Sequence, residues 1–285
     1  MRFTFIAAKK AEHTVTILCR CLRVTRSGFY AWQARPESRH TRDDRRLKVL
    51  VQTAFAESKQ RYGSPRVHED LIDLHEHVSR KRVVRLMREA GLKARQRRRY
   101  KHTTMSEHDQ PVAANVLDRQ FDAVRPNQRW VGDTTEFVIG TSSKLYLAVV
   151  LDLFSRYAVG WAVSAVNDRH LTMKALDMAL KRRGPGRGLL HHSDQGCTYA
   201  SEDYQARLRA AGIVCSMSRR GNCWDHAPME SFFASLKKEL VHHEDYATRA
   251  EAKASIFEYI EAFDNRVRRH SSLGYVAPGG VRADA

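Results

Sequence analysis

The stretch WVGDTTEFVIGTSSKLYLAVVLDLFSRYAVGWAVS, residues 130–164, decides how this chain folds. Trp130 to Ile139 is strand-like, with Thr134, Thr135, Phe137 and Val138 among residues that favour a pleated, half-buried surface. Lys144 to Leu151 is nearly all apolar, as a strand covered on both faces must be. Tyr157 to Ser164 reads as a third strand. Downstream the pattern changes to alternation. A helix over Arg169 to Arg182 is broken by Gly184-Pro185-Gly186, and Leu189 to His192 is a short fourth strand. A helix over Glu202 to Ala211 leads to a fifth strand, Val214 to Met217. After the turn at Gly221-Asn222 come a helix over Pro228 to Leu240 and a last one over Ala250 to Asn265.

Three consecutive strands followed by alternating elements describe an α/β fold: a mixed five-stranded sheet flanked by helices, in the ribonuclease H-like arrangement. Upstream the chain reads all-α. Val15 to Leu22 is helical, and the cluster Phe29, Tyr30 and Trp32 follows before Arg35-Pro36. A long amphipathic stretch runs from Arg42 to Ser58, with Leu47, Leu50, Val51, Ala54 and Phe55 at helical spacing. Pro65 opens the next helix, to Leu74, and Ser79 caps one from Arg80 to Ala90 that Gly91 stops. This order suits a helix-turn-helix domain. The expected organisation is an N-terminal helical segment over 1–35, a helix-turn-helix domain over 36–100, a linker over 101–125, a catalytic core over 126–245, and a C-terminal helix and tail over 246–285.

The 285 residues carry 49 Lys and Arg against 32 Asp and Glu, a formal net charge of +17 that favours polyanions. No apolar run approaches the roughly 20 residues of a membrane span, and the N-terminus has no signal-peptide apolar core, so the expected compartment is a cytoplasm, where the partner would be DNA or RNA. Between Val78 and Lys101 stand eleven Lys or Arg and one acid, Glu89. The final helix of the helical domain carries Arg80, Lys81, Arg82 and Arg85, and Lys93, Arg95 and Arg97 follow it, as a groove- or phosphate-facing set should. The five cysteines include no C-x-x-C pair, so free thiols are expected rather than a disulfide framework or zinc knuckle.

The acids carry the chemistry. Asp133 lies in the first strand of the sheet and Asp194 just past the fourth, and these strands are neighbours in the arrangement above. Glu230 sits in the first turn of a later helix. Converging carboxylates repel one another unless neutralised, and a pair of hard divalent cations does this. Two such ions, Mg²⁺ or Mn²⁺, activate a nucleophile and stabilise a leaving oxygen in phosphoryl transfer. Asp152 competes for the first position, or pairs with Arg156 at a turn. Asp225 competes for the third, and Glu239 is a helix-surface alternative. Phe232 and Phe233 read as core, and His191 and His192 as structural strand-end histidines rather than metal ligands.

Asp133 to Asp194 is 61 positions, and 35 residues lie between Asp194 and Glu230. This spacing resembles the D,D(35)E pattern of retroviral integrases and related transposases. The surrounding words resemble one group more closely, the bacterial insertion-sequence transposases made from two overlapping reading frames, with this chain like the downstream, catalytic frame. Those words are Trp130 to Thr135, His192 to Gly196, and Gly221 to Asp225 through Met229 to Phe233. Arg26 to Trp32, Val78 to Val83, and Asn265 with Arg269 to Tyr275 extend the similarity along nearly the whole chain. His226 stands where the group has Asn, Asp264 where it has Tyr, and the tail from Gly279 to Ala285 lacks the usual apolar ending.

The resemblance implies a metal-dependent enzyme that cleaves the 3′ ends of an element and transfers them to target DNA, with Asp133, Asp194 and Glu230 as metal ligands. It implies that Lys237, two helical turns after Glu230, touches the DNA end, and that Gly221-Asn222 forms a loop beside the site with Asn222 a DNA contact. A homodimer or higher assembly on DNA and an upstream-frame protein partner are implied as well. A hydrolytic ribonuclease H-like nuclease or resolvase, and a degenerate copy that binds without chemistry, are the alternative readings.

Overall fold

A computed structural model describes residues 1–95, 111–140, 143–219 and 223–282. Six helices come first: α1 (Arg2–Lys9), α2 (Val15–Cys21), α3 (Arg26–Ala34), α4 (Arg39–Glu57), α5 (Ser64–Asp73) and α6 (Arg80–Glu89). Hydroxyl caps set several of their starts: the Thr25, Ser38 and Ser79 side chains accept from the amides of Gly28, Thr41 and Arg82. Helices α4, α5 and α6 pack through Leu47, Val51, Phe55, Val67, Leu71, Val83 and Leu86. On the outside, Asp44 accepts from Arg82 Nε and Arg85 Nη2, both at 2.7 Å, tying α6 to α4.

The sheet comprises β1 (Arg129–Ile139), β2 (Ser143–Asp152), β3 (Ala158–Ser164), β4 (Leu190–Ser193) and β5 (Val214–Met217). Its order is β3-β2-β1-β4-β5. The first two pairings are antiparallel, and β1–β4 and β4–β5 are parallel. This is the mixed topology expected from three strands in succession followed by crossovers through α7 (Arg169–Arg183), then α8 (Cys197–Ala200) and α9 (Glu202–Ala210). Gly184 closes α7 in the left-handed conformation, φ 48°. The described part of the 101–125 segment lies along β5: Ser216 Oγ accepts from the Val116 and Leu117 amides, and Leu117 is buried.

Alternation along the strands divides the core in two. Trp130, Ala148, Val150 and Val159 face α7 and α9. Val131, Phe137, Leu147, Val149 and Leu151 face the other way, onto α10 (Ala227–Glu239), through Met229, Phe232, Phe233 and Leu236, and onto the C-terminal region. That second core continues into α4, α5 and α6 without a break. The last helix departs from expectation: α11 (Arg249–Phe257) is regular, and Glu258–Asp264 then widens into a π-helix. Beyond it Asn265 is fully buried, its side chain accepting from the Ala158 amide at 2.8 Å and donating to the Ala158 carbonyl, so it caps the edge strand β3.

Candidate active site

Asp133 sits in β1 opposite Val149 of β2, on the face shared by Val131 and Phe137 and covered by α10. Its carboxylate accepts from the Thr134 amide at 2.7 Å. Parallel pairing of β1 with β4 sets Val131 beside His192, so the chain leaves β4 at Ser193 next to Asp133 and presents Asp194 there. Asp194 accepts from the Gly196 amide at 2.9 Å, which fixes the carboxylate at the strand end. Glu230 lies in the first turn of α10 and is solvent-exposed.

The groups bear on one another. Asp133 is half-buried. Burial first, and then the charges of Asp194 and Glu230, push its pKa up to about 8 against the opposing Thr134 amide and Lys237 ammonium. Lys237 stands two turns along α10, half-buried with its Nζ 5.6 Å from the centre of the Phe137 ring. Burial lowers its pKa, with Glu136 and Asp133 resisting. Among the described residues no group of three His, Cys, Asp or Glu side chains is arranged to hold a metal ion, so the structure does not bring Asp133, Asp194 and Glu230 into one ligand set.

The competing acids are placed elsewhere in the architecture. Asp152 is fully buried and accepts from Ser155 Oγ at 2.7 Å and the Asn127 amide at 3.2 Å, so it shapes the β2–β3 turn rather than pairing with the Arg156 side chain. Asp225 is fully buried and accepts from Asn115 Nδ2, Arg119 Nε and the Arg219 amide at 2.9–3.0 Å. It anchors the turn that leads into α10. Glu239 is not on the helix surface, as the sequence led us to expect. It is 4% exposed and accepts from Arg268 Nε and Nη2 at 2.8 Å each, Tyr259 Oη at 2.9 Å and Arg66 Nη1 at 3.2 Å.

His191 and His192 are buried against Tyr204 Oη and Ser216 Oγ at 3.1 and 2.9 Å. Phe232 and Phe233 are in the core. His226 is buried, with its ring centroid 5.0 Å from that of His192. Asp264 is buried, with Arg268 Nη1 at 3.5 Å and His270 Nε2 at 3.4 Å.

The basic residues divide by environment. Arg80, Lys81 and Lys93 project into solvent. Arg82 and Arg85 are engaged with α4, and Arg95 donates to the Glu239 carbonyl at 3.0 Å. Arg97 and Asn222 lie outside the described residues. Trp224, which the sequence reading quoted within the Gly221 to Asp225 words but gave no role, is 69% exposed at the turn into α10.

Two integrase core domain models match residues 123–223 and 230–283, and an HTH-like domain model matches residues 41–100. The chain is 41% identical over 280 residues to the transposase InsF for insertion sequence IS3A of Escherichia coli (strain K12), covering 98% of this chain and 97% of that protein. It is also 41% identical over 265 residues to an uncharacterized 31 kDa protein of insertion element IS600 of Shigella sonnei, covering 93% of this chain and 97% of the other. Among solved structures, the HTLV-2 integrase catalytic core domain in complex with magnesium is 18% identical with a TM-score of 0.40, covering 53% of this chain and 93% of that one. A chain of the simian T-cell lymphotropic virus intasome in complex with PP2A regulatory subunit B56 gamma is 16% identical with a TM-score of 0.44, covering 70% of this chain and 66% of that one.

Proposed function

The chain belongs to the family of insertion-sequence transposases with an integrase core, and we propose that Asp133, Asp194 and Glu230 form its reactive centre. The observation that carries this reading is the parallel β1–β4 pairing, which sets two aspartates at one sheet edge on the side that α10 covers. The donor set fits a hard divalent cation. All three side chains offer oxygen, the donor that Mg²⁺ takes, and the charges of Asp194 and Glu230 bear on Asp133. Mg²⁺ or Mn²⁺ bound there, as two ions, supplies Lewis acidity at the phosphate and lowers the pKa of a nucleophilic hydroxyl.

The protein's own part is placement. The Thr134 and Gly196 amides orient the two aspartates. Lys237, held against Phe137, adds a positive charge beside Asp133 and, by this reading, meets the phosphate of the DNA end. Water attacks the phosphodiester at the element's end, leaving a 3′-hydroxyl. That hydroxyl then attacks a target phosphodiester, forming the new bond and releasing a target 3′-hydroxyl. Two element ends imply at least two protomers on double-stranded DNA, and an upstream-frame protein is a candidate partner. Among the described residues no helix is long and apolar enough to cross a membrane.

A joining assay tests the proposal, with a labelled duplex carrying the element's end, a target plasmid, and Mg²⁺, Mn²⁺ or EDTA. Joined products that need the metal and vanish in Asp133→Asn, Asp194→Asn and Glu230→Gln, while end binding persists, are expected. A triple variant that still joins DNA overturns the assignment. Cutting without joining favours a nuclease.

A further inference from the structure

The first 35 residues form a small body outside all the matched domains, the HTH-like match beginning only at residue 41. Ile6, Leu18, Cys19 and Phe29 make a buried cluster of their own, lined by Phe3 and Trp32. Three rings interlock there, Phe3, Phe29 and Trp32, with centroids 5.8–6.2 Å apart. A core this separate does not serve the catalytic sheet.

Its second and third helices are joined in the way α5 and α6 are. After α2, Arg23 takes the left-handed conformation, φ 51°, and the Val24 amide bonds back to the Cys19 carbonyl at 3.0 Å. After α5, His75 takes φ 59° and the Glu76 amide bonds back to Leu71 at 3.0 Å. Both are the six-to-one closure that ends a helix and turns the chain sharply. In each pair a hydroxyl residue then caps the following helix, Thr25 for α3 and Ser79 for α6. The four-residue connection from Leu22 to Thr25 has the length of a helix-turn-helix turn.

The outward face of α3 suits DNA. Phe29 and Trp32 turn inward, leaving Arg26, Ser27, Tyr30 and Gln33 exposed, with Tyr30 at 55%. The segment 1–35 holds seven Lys or Arg and one acid, Glu12, so the face sits in a positive field that favours phosphates. Arg26 has a weak internal partner, Thr16 Oγ1 at 3.3 Å, and its guanidinium remains available for a base edge.

We propose that α1, α2 and α3 form a second helix-turn-helix, which lays α3 in the major groove of the element's terminal sequence beside the segment gripped through α6. This rests on the reading that the chain acts at its element's ends. Two readers joined by the short connection from Arg35 to Ser38 recognise a longer sequence than either alone, and linkage raises the effective concentration of the second once the first is bound.

The test is a hydroxyl-radical footprint of the full chain on a duplex of the element's terminal sequence, in EDTA so that no chemistry occurs. Wild type is expected to protect two separated patches. Arg26→Ala with Tyr30→Ala should lose one patch and weaken binding by about tenfold to a hundredfold. Arg80→Ala with Lys81→Ala should lose the other, which shows in the same experiment that each variant is folded. Arg26→Ala alone leaves the aromatic cluster untouched and should lower contrast in the first patch. An unchanged footprint in an Arg26/Tyr30 variant that still joins DNA overturns the inference and leaves the catalytic reading standing. Uniform weakening with both patches retained also overturns it, as does a changed oligomeric state by sedimentation with DNA contacts intact. A wild-type protein that protects no end sequence overturns both readings.

Discussion

Replacing Glu239 with Ala is expected to destabilise the protein by about 3 kcal/mol, within the roughly 3–5 kcal/mol typical of breaking a buried ion pair from one side. Arg268 is 4% exposed and loses both of its 2.8 Å bonds to the carboxylate, while Tyr259 Oη and Arg66 Nη1 lose an acceptor. The figure falls at the low end because Arg268 keeps Asp264 at 3.5 Å and His270 at 3.0 Å. Glu239→Gln keeps an acceptor oxygen and should cost about half as much. Removing the charges together, Glu239→Leu with Arg268→Met, should recover most of the loss, since a well-packed apolar pair often replaces a buried ion pair without cost. Urea unfolding at pH 7 reads all of these, and at a slope of about 3 kcal/mol/M the Ala variant shifts the midpoint by about 1 M. Burial pushes the Glu239 carboxylate upward, but Arg268, with Arg66 and Tyr259, holds it below its ordinary value of 4.5. A depressed folded value stabilises the protein above the unfolded value, so this contribution is complete at neutral pH and fades as the pH falls below about 4.5. A loss under about 0.5 kcal/mol, the figure for an ordinary surface residue, refutes the reasoning. So does a double variant whose loss equals the sum of the single ones.

In metal-free protein Asp133 should act against folding as the pH rises. Unfolded chain ionises near 3.8 while the folded site holds its proton until about 8, so stability falls across that window. Asp133→Asn should therefore be more stable than wild type by about 3 kcal/mol at pH 8, roughly half the unscreened linkage, and nearly equal to it near pH 4. Urea titrations in EDTA at pH 4, 6 and 8 check this, and a difference independent of pH would falsify it. Gly160 of β3 lies under α7, where an added Cβ would stand 2.1 Å from the Ala175 carbonyl oxygen and 2.7 Å from the Ala179 nitrogen. Gly160→Ala should lower thermal stability through overpacking by about 1–3 kcal/mol, and an unchanged melting temperature would show that the helix moves aside freely.

Local chemistry made much of the fold legible. Strand-favouring residues placed β1, a continuous apolar run placed β2, and Ser79 and Gly184 marked helix ends. The positions of Asp133 and Asp194 also followed, because topology makes β1 and β4 neighbours. What failed was distant pairing. Glu239 follows the apolar residues Phe232 and Leu236 at helical spacing, but the arginine that makes its burial tolerable is 29 residues downstream. The ties of Arg82 and Arg85 to Asp44 were not legible either, because that acid is about 40 residues upstream in the sequence. The widening of the last helix at Glu258–Asp264 is a response to packing that helical periodicity does not encode.

Helix α10 carries Glu230 near one end, while its other end is clasped by Arg66 of α5 and Arg268 of the C-terminal region. The two glutamates are nine positions apart, about 13 Å along a helix axis. The helical domain and the proposed reactive centre thus share one shaft. Exchanging helix-turn-helix modules between related elements, as though they were interchangeable cassettes, transfers a grip on the catalytic helix along with a taste in sequence. A chimera whose incoming module lacks a donor in the place of Arg66 should lose stability at this end of α10, so new sequence preference and the seating of the helix change together.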